Sequence, residues 1–180
     1  MRIETKDLFL AKAKMEDLDS IYNNFWKHQE TAKYMNWTPC KNIEEAKERL
    51  MGAIEFQKNR IGYFVYEKSS KQAIGMAGIK EIEPKVYEDG GIGIGPNFTG
   101  KGYGKQILNA LLYYTFNILN ADKFITSCHT ENIPSAKMQL ACGLKYTHSE
   151  MVTRKKDNLT YKSDYYAITK EEYQSKINKK

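Results

Sequence analysis

The feature that most constrains this chain is the run Phe98-Thr-Gly-Lys-Gly-Tyr-Gly-Lys105, in which Gly100, Gly102 and Gly104 alternate directly ahead of a long apolar stripe. Ile107, Leu108, Leu111, Leu112, Thr115, Ile118 and Leu119 recur at spacings of three and four and predict an amphipathic helix. The residues before the run, from about Gly91 to Gly95, read as a strand. A strand, a glycine loop and a helix in succession let the backbone approach a ligand closely and aim unpaired amides at one point. The helix N-terminus carries partial positive charge there, and Lys101 and Lys105 bring formal charge, so the point suits a phosphate. From the glycines alone, a tight turn with no ligand is an equal reading.

Two phosphate motifs come close without fitting. Gly95-Pro-Asn-Phe-Thr-Gly100-Lys101 satisfies the G-x-x-x-x-G-K part of a nucleoside-triphosphate loop, but Gly102 stands where a magnesium-binding Ser or Thr is required. A dinucleotide fingerprint needs G-x-G-x-x-G, whereas the spacing here is G-x-G-x-G, after several strands instead of at the opening of a βαβ series.

Around this unit the chain reads as one α+β layer fold with a mixed sheet, a single domain over residues 1–180. A short strand spans Leu8 to Ala13, and Met15, Leu18, Ile21, Tyr22, Phe25 and Trp26 mark one face of a first helix. Asn42-Ile-Glu-Glu45 resembles a capping box and opens a second helix ending near Asn59. Gly62–Glu67 and Ala73–Ile82 form an antiparallel pair across a polar turn. Lys123–His129 is the next strand, Asn132 and Pro134 start another helix, and Gly143 ends it. Two strands, Leu144–Thr153 and Tyr161–Ile168, flank a basic turn, and a short helix begins near Lys170.

No stretch approaches the roughly 18 to 20 apolar residues of a membrane span, and no apolar signal region opens the sequence. Cys40, Cys128 and Cys142 are odd in number and lack metal-ligand spacing, which indicates free thiols, no structural metal and a cytoplasmic location. The 28 Lys and Arg against 22 Asp and Glu give a charge of +6, which permits an anionic ligand without demanding nucleic acid. The Arg154-Lys155-Lys156 cluster and Lys176, Lys179 and Lys180 read as solvated surface.

The run Gly95-Pro-Asn-Phe-Thr-Gly-Lys-Gly-Tyr-Gly104 resembles the pyrophosphate loop of the GNAT acyltransferases, Gln/Arg-x-x-Gly-x-Gly/Ala, with Thr99, Gly102 and Gly104 on the pattern. Asn132-Ile-Pro-Ser135 and Gly143-Leu144 are similar to the Asn-x-x-Ser helix and the following strand start of the ribosomal-protein N-terminal acetyltransferase branch. Asp164 to Glu172 resembles that branch's closing strand and final helix, so the likeness covers nearly the whole chain in order. It implies a mixed, mostly antiparallel sheet of about seven strands with helices on both faces and a splayed parallel pair, here 91–95 and 123–129. It also implies acetyl transfer from acetyl-CoA to an amine, either a protein N-terminus or a small molecule, without a metal. Ile92, Gly93 and Ile94 take the position that offers backbone groups to the pantetheine arm. Thr99, Gly100, Lys101, Gly102, Tyr103, Gly104 and Lys105 take the pyrophosphate position. Thr99 replaces the usual Gln or Arg, and Gln139 stands where many members carry a tyrosine general acid.

An amine nucleophile is protonated near neutral pH, so a carboxylate should help remove its proton. Asp89 aligns with a glutamate of this branch and Glu88 adjoins it, with Glu81 and Glu83 in reserve; Glu88-Asp89-Gly90 also reads as an ordinary acidic turn. Asn132 is either a helix cap or a contact to the donor, and Ser135 either holds the leaving thiolate or bonds the local backbone. His129 ends a strand that flanks the acyl gap. A non-catalytic acyl-CoA-binding module is the alternative function, and a nucleic-acid binder using the basic turn is the weakest. The expected assembly is a monomer or homodimer.

Overall fold

The computed structural model of the chain describes residues 2–178. Nine strands form one sheet: β1 (Ile3–Glu4), β2 (Leu8–Ala11), β3 (Ile61–Glu67), β4 (Ala73–Glu83), β5 (Val86–Asp89), β6 (Gly93–Ile94), β7 (Lys123–His129), β8 (Lys145–Arg154) and β9 (Leu159–Thr169). Their spatial order is β1-β2-β3-β4-β5-β7-β9-β8, with β6 also on β4. The pairings are antiparallel except β5 with β7, which is parallel.

This corrects two expectations. The sheet has nine strands instead of about seven, and the parallel partner of β7 is Val86–Asp89, not 91–95. β5 and β6 are two pieces of one line of chain along β4: Ile79 faces Asp89 and Met76 faces Gly93, which leaves one extra residue on the β5–β6 side. Such a bulge bends a strand. Gly91, at φ +103°, occupies the bend.

Helices cover both faces. Between β2 and β3 lie a 3-10 turn (Met15–Asp17), α1 (Leu18–Ile21), a π turn (Tyr22–Trp26), α2 (Gln29–Ala32) and α3 (Ile43–Lys58). Ile21, Phe25 and Trp26 join Ala46 and Leu50 of α3 against Phe64, Tyr66 and Ala73 of the sheet. On the opposite face α4 (Tyr103–Tyr113), which runs on through a π turn (Tyr114–Ile118), packs Ile107, Leu108, Leu111 and Leu112 over Val65, Ile74, Ile79, Phe124 and Ile168. α5 (Ile133–Ala141) and α6 (Lys170–Ile177) complete the chain.

The helix ends obey local chemistry. Asn42 Oδ1 accepts from Glu45 N at 2.9 Å and caps α3, while the Glu45 carboxylate reaches Lys41 N and not the cap residue. Asn132 caps α5 by accepting from Ser135 N at 3.3 Å. Gly143, at φ +91°, ends α5: its N–H donates to Leu140 O and that of Leu144 donates to Gln139 O, so both orphan carbonyls are satisfied.

The approach of the β6 end to the first helical segment is tight. A Cβ on Gly95 would lie 1.9 Å from the Asn24 carbonyl oxygen, a backbone atom. Gly95 has φ −57°, so substitution there adds steric overlap without dihedral strain. Gly95→Ala is expected to lower the urea-unfolding free energy by about 1–3 kcal/mol; a change under about 0.5 kcal/mol would show that the contact yields freely.

Candidate active site

The two strands expected to flank an acyl gap do separate. β5–β7 pairing ends at Glu88 opposite Ile125. Beyond that point β6 follows β4 while β7 follows β9, so the edge of residues 93–94 away from β4 has no strand beside it among the described residues. Ile92 and Ile94 are half-buried against the α4 cluster, and Gly93 packs toward Phe25 and Met35. The edge left open beside residues 93–94 is therefore backbone.

Asp89 sits at the fork. Its Oδ1 accepts from Gly91 N at 2.7 Å and its Oδ2 from Thr126 Oγ1 of β7 at 3.2 Å, a side-chain bridge one step past the last backbone pairing. Burial of the carboxyl group pushes its pKa up from the ordinary 3.8 to about 6, outweighing both hydrogen bonds. Glu88 faces elsewhere and pairs with Lys80 at 2.9 Å. Glu83 is exposed, and Glu81 accepts from Lys85 N in the turn that follows, so neither belongs to the fork. Thr126, 1% exposed, was not singled out from the sequence. A Thr inside a strand carries no signal until its cross-strand neighbour is known.

At one end of the gap the glycine loop forms a cradle. Gly100 and Gly102 have φ of +77° and +76°, and a Cβ on either would meet open space. Thr99 to Gly102 are exposed, and among the described residues no amide from Gly100 to Lys105 donates to a backbone acceptor. Gly104 has a different reason: a Cβ there would lie 2.7 Å from Met138 Sδ of α5. The hydroxyl of Thr99 bonds Pro96 O at 2.8 Å and closes its own turn. The Tyr103 side chain is buried, so Thr99 and Tyr103 face a ligand through backbone only. Lys105 is exposed. Lys101 departs from expectation: its ammonium folds back to 3.4 Å from Glu67 Oε1 and lies 5.2 Å from the Phe98 ring centroid, instead of adding charge to the cradle.

A second cluster forms where α5 meets Cys128 of β7. Gln139, 1% exposed, donates from Nε2 to Ser135 Oγ at 3.1 Å, and its Oε1 is buried without a hydrogen-bond partner. Ser135 and Gln139 both lie against the Cys128 thiol and favour its anion, but burial prevails and pushes the thiol up. Cys128 is thus poorly suited to nucleophilic attack.

On the face that carries α1 and α3, Tyr34 and Met35 straddle the fork. Tyr34 lies 5.1 Å from the His129 ring, and His129 stacks on Tyr161 at 4.5 Å and 8°. Met35 lies against Gly91 and Gly93 on the other side. The basic turn holds this strap: Lys156 Nζ donates to Ala32 O at 2.6 Å and Trp37 O at 3.3 Å, and Arg154 Nη1 donates to Lys33 O at 2.5 Å. Arg154 is 7% exposed and doubly bonded to Asp157 at 3.0 and 2.6 Å. The expectation of a solvated basic turn is overturned for these two side chains, because backbone carbonyls more than 100 residues away accept their hydrogen bonds. Lys176 is likewise engaged, with Cys142 O and with Asn109 Oδ1 at 3.3 Å; Lys179 and Lys180 lie outside the described residues. An open cleft of about 1200 Å3 beside the strap is lined by Lys27, Lys33, Lys41, Glu45, Arg154 and Lys156, and it contains none of Asp89, Asn132 or Ser135. Asp89 and Thr126 meet at the fork, outside that cleft.

Comparison with known proteins agrees with this architecture. Residues 7–145 match the family model of the acetyltransferase (GNAT) domain. The chain is 31% identical over 142 residues to N-acetyltransferase p20 of Bacillus licheniformis, itself uncharacterized, covering 74% of this chain and 76% of that one. It is 28% identical over 138 residues to spermidine N(1)-acetyltransferase of Vibrio cholerae, covering 76% and 78%. Among solved structures, ribosomal-protein-S5-alanine acetyltransferase from Vibrio fischeri superposes with a TM-score of 0.74 at 17% identity, over 96% of this chain and 98% of that one. A fork between two parallel strands, a glycine cradle at the head of the following helix and a matching family model over most of its length place this chain in the GNAT family of N-acetyltransferases.

Proposed function

We propose that this protein, as one domain in the cytoplasm, transfers the acetyl group of acetyl-CoA to a primary amine by direct attack on the thioester. The acceptor classes we favour are a protein N-terminus and a small-molecule amine; the Vibrio fischeri protein is named for an alanine of ribosomal protein S5 and the Vibrio cholerae protein for spermidine. The observation that carries this reading is the position of Asp89, a carboxyl group with a pKa near 6 at the mouth of a gap whose other end is a cradle of unpartnered amides.

In this reading the amides of Gly100 to Lys105 hold the diphosphate, with Lys105 adding charge. The free backbone edge of Ile92, Gly93 and Ile94 aligns the pantetheine arm. Asp89 takes a proton from the ammonium and later releases it to solvent, the amine nitrogen attacks the carbonyl carbon, and the carbon–sulfur bond breaks as the second proton shed by that nitrogen passes to the sulfur, so that CoA leaves as the thiol. Ser135, oriented by Gln139, donates to that sulfur in place of a tyrosine. Asn132 shapes the start of α5 and contacts the donor through the part of its amide not used in the cap. Glu88, paired to Lys80, does not take the proton.

Calorimetric titration with acetyl-CoA, followed by thiol-release assays over a panel of amines and N-terminal peptides, tests the reading. Saturable donor binding with CoA release only when an amine is present is the expected result. Donor binding with no release against any amine would leave a non-catalytic acyl-CoA binder, and no binding at all would overturn both.

A further inference from the structure

Glu67 ends β3 and is 9% exposed, a position in which a carboxylate must be paired. Its Oε2 accepts from Ser70 Oγ at 2.9 Å, and its Oε1 accepts from Tyr103 Oη at 2.8 Å and lies 3.4 Å from Lys101 Nζ. Lys101 and Tyr103 are the immediate neighbours of Gly102, whose left-handed backbone turns the loop into α4. One buried carboxylate from a different strand therefore grips both sides of the bend that presents the amides.

The bend has no side-chain cap of its own. Gly102 stands at the N-cap of α4 without a side chain to accept from the first turn, and Gly100 adds a second residue of wide conformational freedom. Besides Glu67, side chains hold this end of α4 further into the helix: Gln106 Oε1 accepts from Thr5 Oγ1 at 2.9 Å and Asp7 N at 3.0 Å, and Cys142 Sγ donates to Lys105 O at 3.8 Å. The Glu67 carboxyl is held below the usual range, first by the Tyr103 hydroxyl, while Tyr103 itself is pushed up to about 12 by that same bond. At neutral pH the clasp is thus an ionised carboxylate receiving a phenol and an ammonium, a stronger arrangement than neutral hydrogen bonds would provide.

We propose that Glu67 is a positioning residue for the donor: through Tyr103 and Lys101 it fixes the bend at Gly102, so that the amides of Gly100 to Lys105 converge before acetyl-CoA arrives. The inference rests on reading residues 100–105 as the donor cradle. An anion bound by several backbone amides loses affinity when those amides must first be ordered, so the clasp acts on donor affinity and leaves the chemical step alone.

The test uses the full chain, with acetyl-CoA as the titrant well below the melting temperature. Glu67→Ala is expected to raise the acetyl-CoA Kd about tenfold, and Tyr103→Phe to raise it in the same direction. Glu67→Gln keeps an acceptor for Tyr103 and should stay within about threefold of the parent. Hydrogen exchange of the Gly100–Gln106 amides should quicken in Glu67→Ala while that of β9 is unchanged. A Glu67→Ala protein that binds acetyl-CoA as the parent does would overturn the proposal; if that variant does not fold, parent-like affinity in Tyr103→Phe overturns it equally. Failure of the parent itself to bind acetyl-CoA would remove the donor-cradle reading and this proposal with it.

Discussion

Gly102→Asp is expected to fold as the parent does and to lose acetyl-CoA binding. A Cβ at this position meets no atom within 4 Å, so the fold is asked only to tolerate a non-glycine residue at φ +76°, a cost of about 1 kcal/mol that Asp bears better than most. The new carboxylate would stand among the unpartnered amides at the start of α4, where a diphosphate is proposed to lie. Two like charges about 4 Å apart repel by about 4 kcal/mol at an effective dielectric near 20. A loss of more than about a hundredfold in affinity follows. Gly102→Asn separates charge from backbone strain, since Asn accepts the left-handed conformation and is neutral; it should keep most of the affinity. Calorimetry on the two variants, with melting curves alongside, makes the comparison. Equal losses in Asp and Asn would place the effect in the backbone, and no loss in either would remove the cradle from the donor site.

Asp89→Asn should lower acetyl transfer by about 10²- to 10⁴-fold, the usual contribution of a positioned base, with acetyl-CoA affinity unchanged. In the parent the competent form is the carboxylate, so the rate should rise with pH through about 6 and level off above it. Stability moves the other way. Burial raises the folded-state pKa from 3.8 to about 6, so the contribution of Asp89 to stability is fully present below the lower value and is lost as pH rises through the higher one. Near pH 7.5 the parent carries a charge that the fork does not favour, and the Asn variant should be more stable by up to about 3 kcal/mol. Near pH 3.5 the two should melt alike. Asn can still accept from Gly91 N and can donate to Thr126 Oγ1, so the fork keeps its bridge. A variant that keeps activity within about threefold would move the proton-accepting role to another group.

Much of the scaffold was legible because its determinants are local. The period of three and four in 107–119, the Asn42 cap, the Asn132 and Pro134 start and the Gly143 stop each rest on residues within one helical turn of one another, and each element stands where it was expected. The glycine run likewise revealed its bend, since residues that must adopt positive φ are chosen by backbone sterics alone.

Val86–Asp89 was not legible. Val86 and Tyr87 apart, its residues look like a polar turn running into Gly90, and only the ladders from β4 and β7 make the four a strand. The same holds for the groups that finish the site. Thr126 gains meaning from Asp89, 37 residues away, Glu67 from Tyr103, 36 residues away, and Arg154 and Lys156 from carbonyls in the strap over the fork. In composition Arg154-Lys155-Lys156 cannot be told from a solvated turn, because a charged side chain carries no mark of the acceptor that its hydrogen bond will find. By itself the sequence determined the helices from α3 to α6, the glycine bend and the family to which they belong, whereas the one helix expected over Met15–Trp26 is a 3-10 turn, the short α1 and a π turn, and α2 was not foreseen. The tertiary structure alone decided where the parallel pair opens and which carboxylates are buried, because strand pairing and desolvation depend on residues that meet only when the chain is folded.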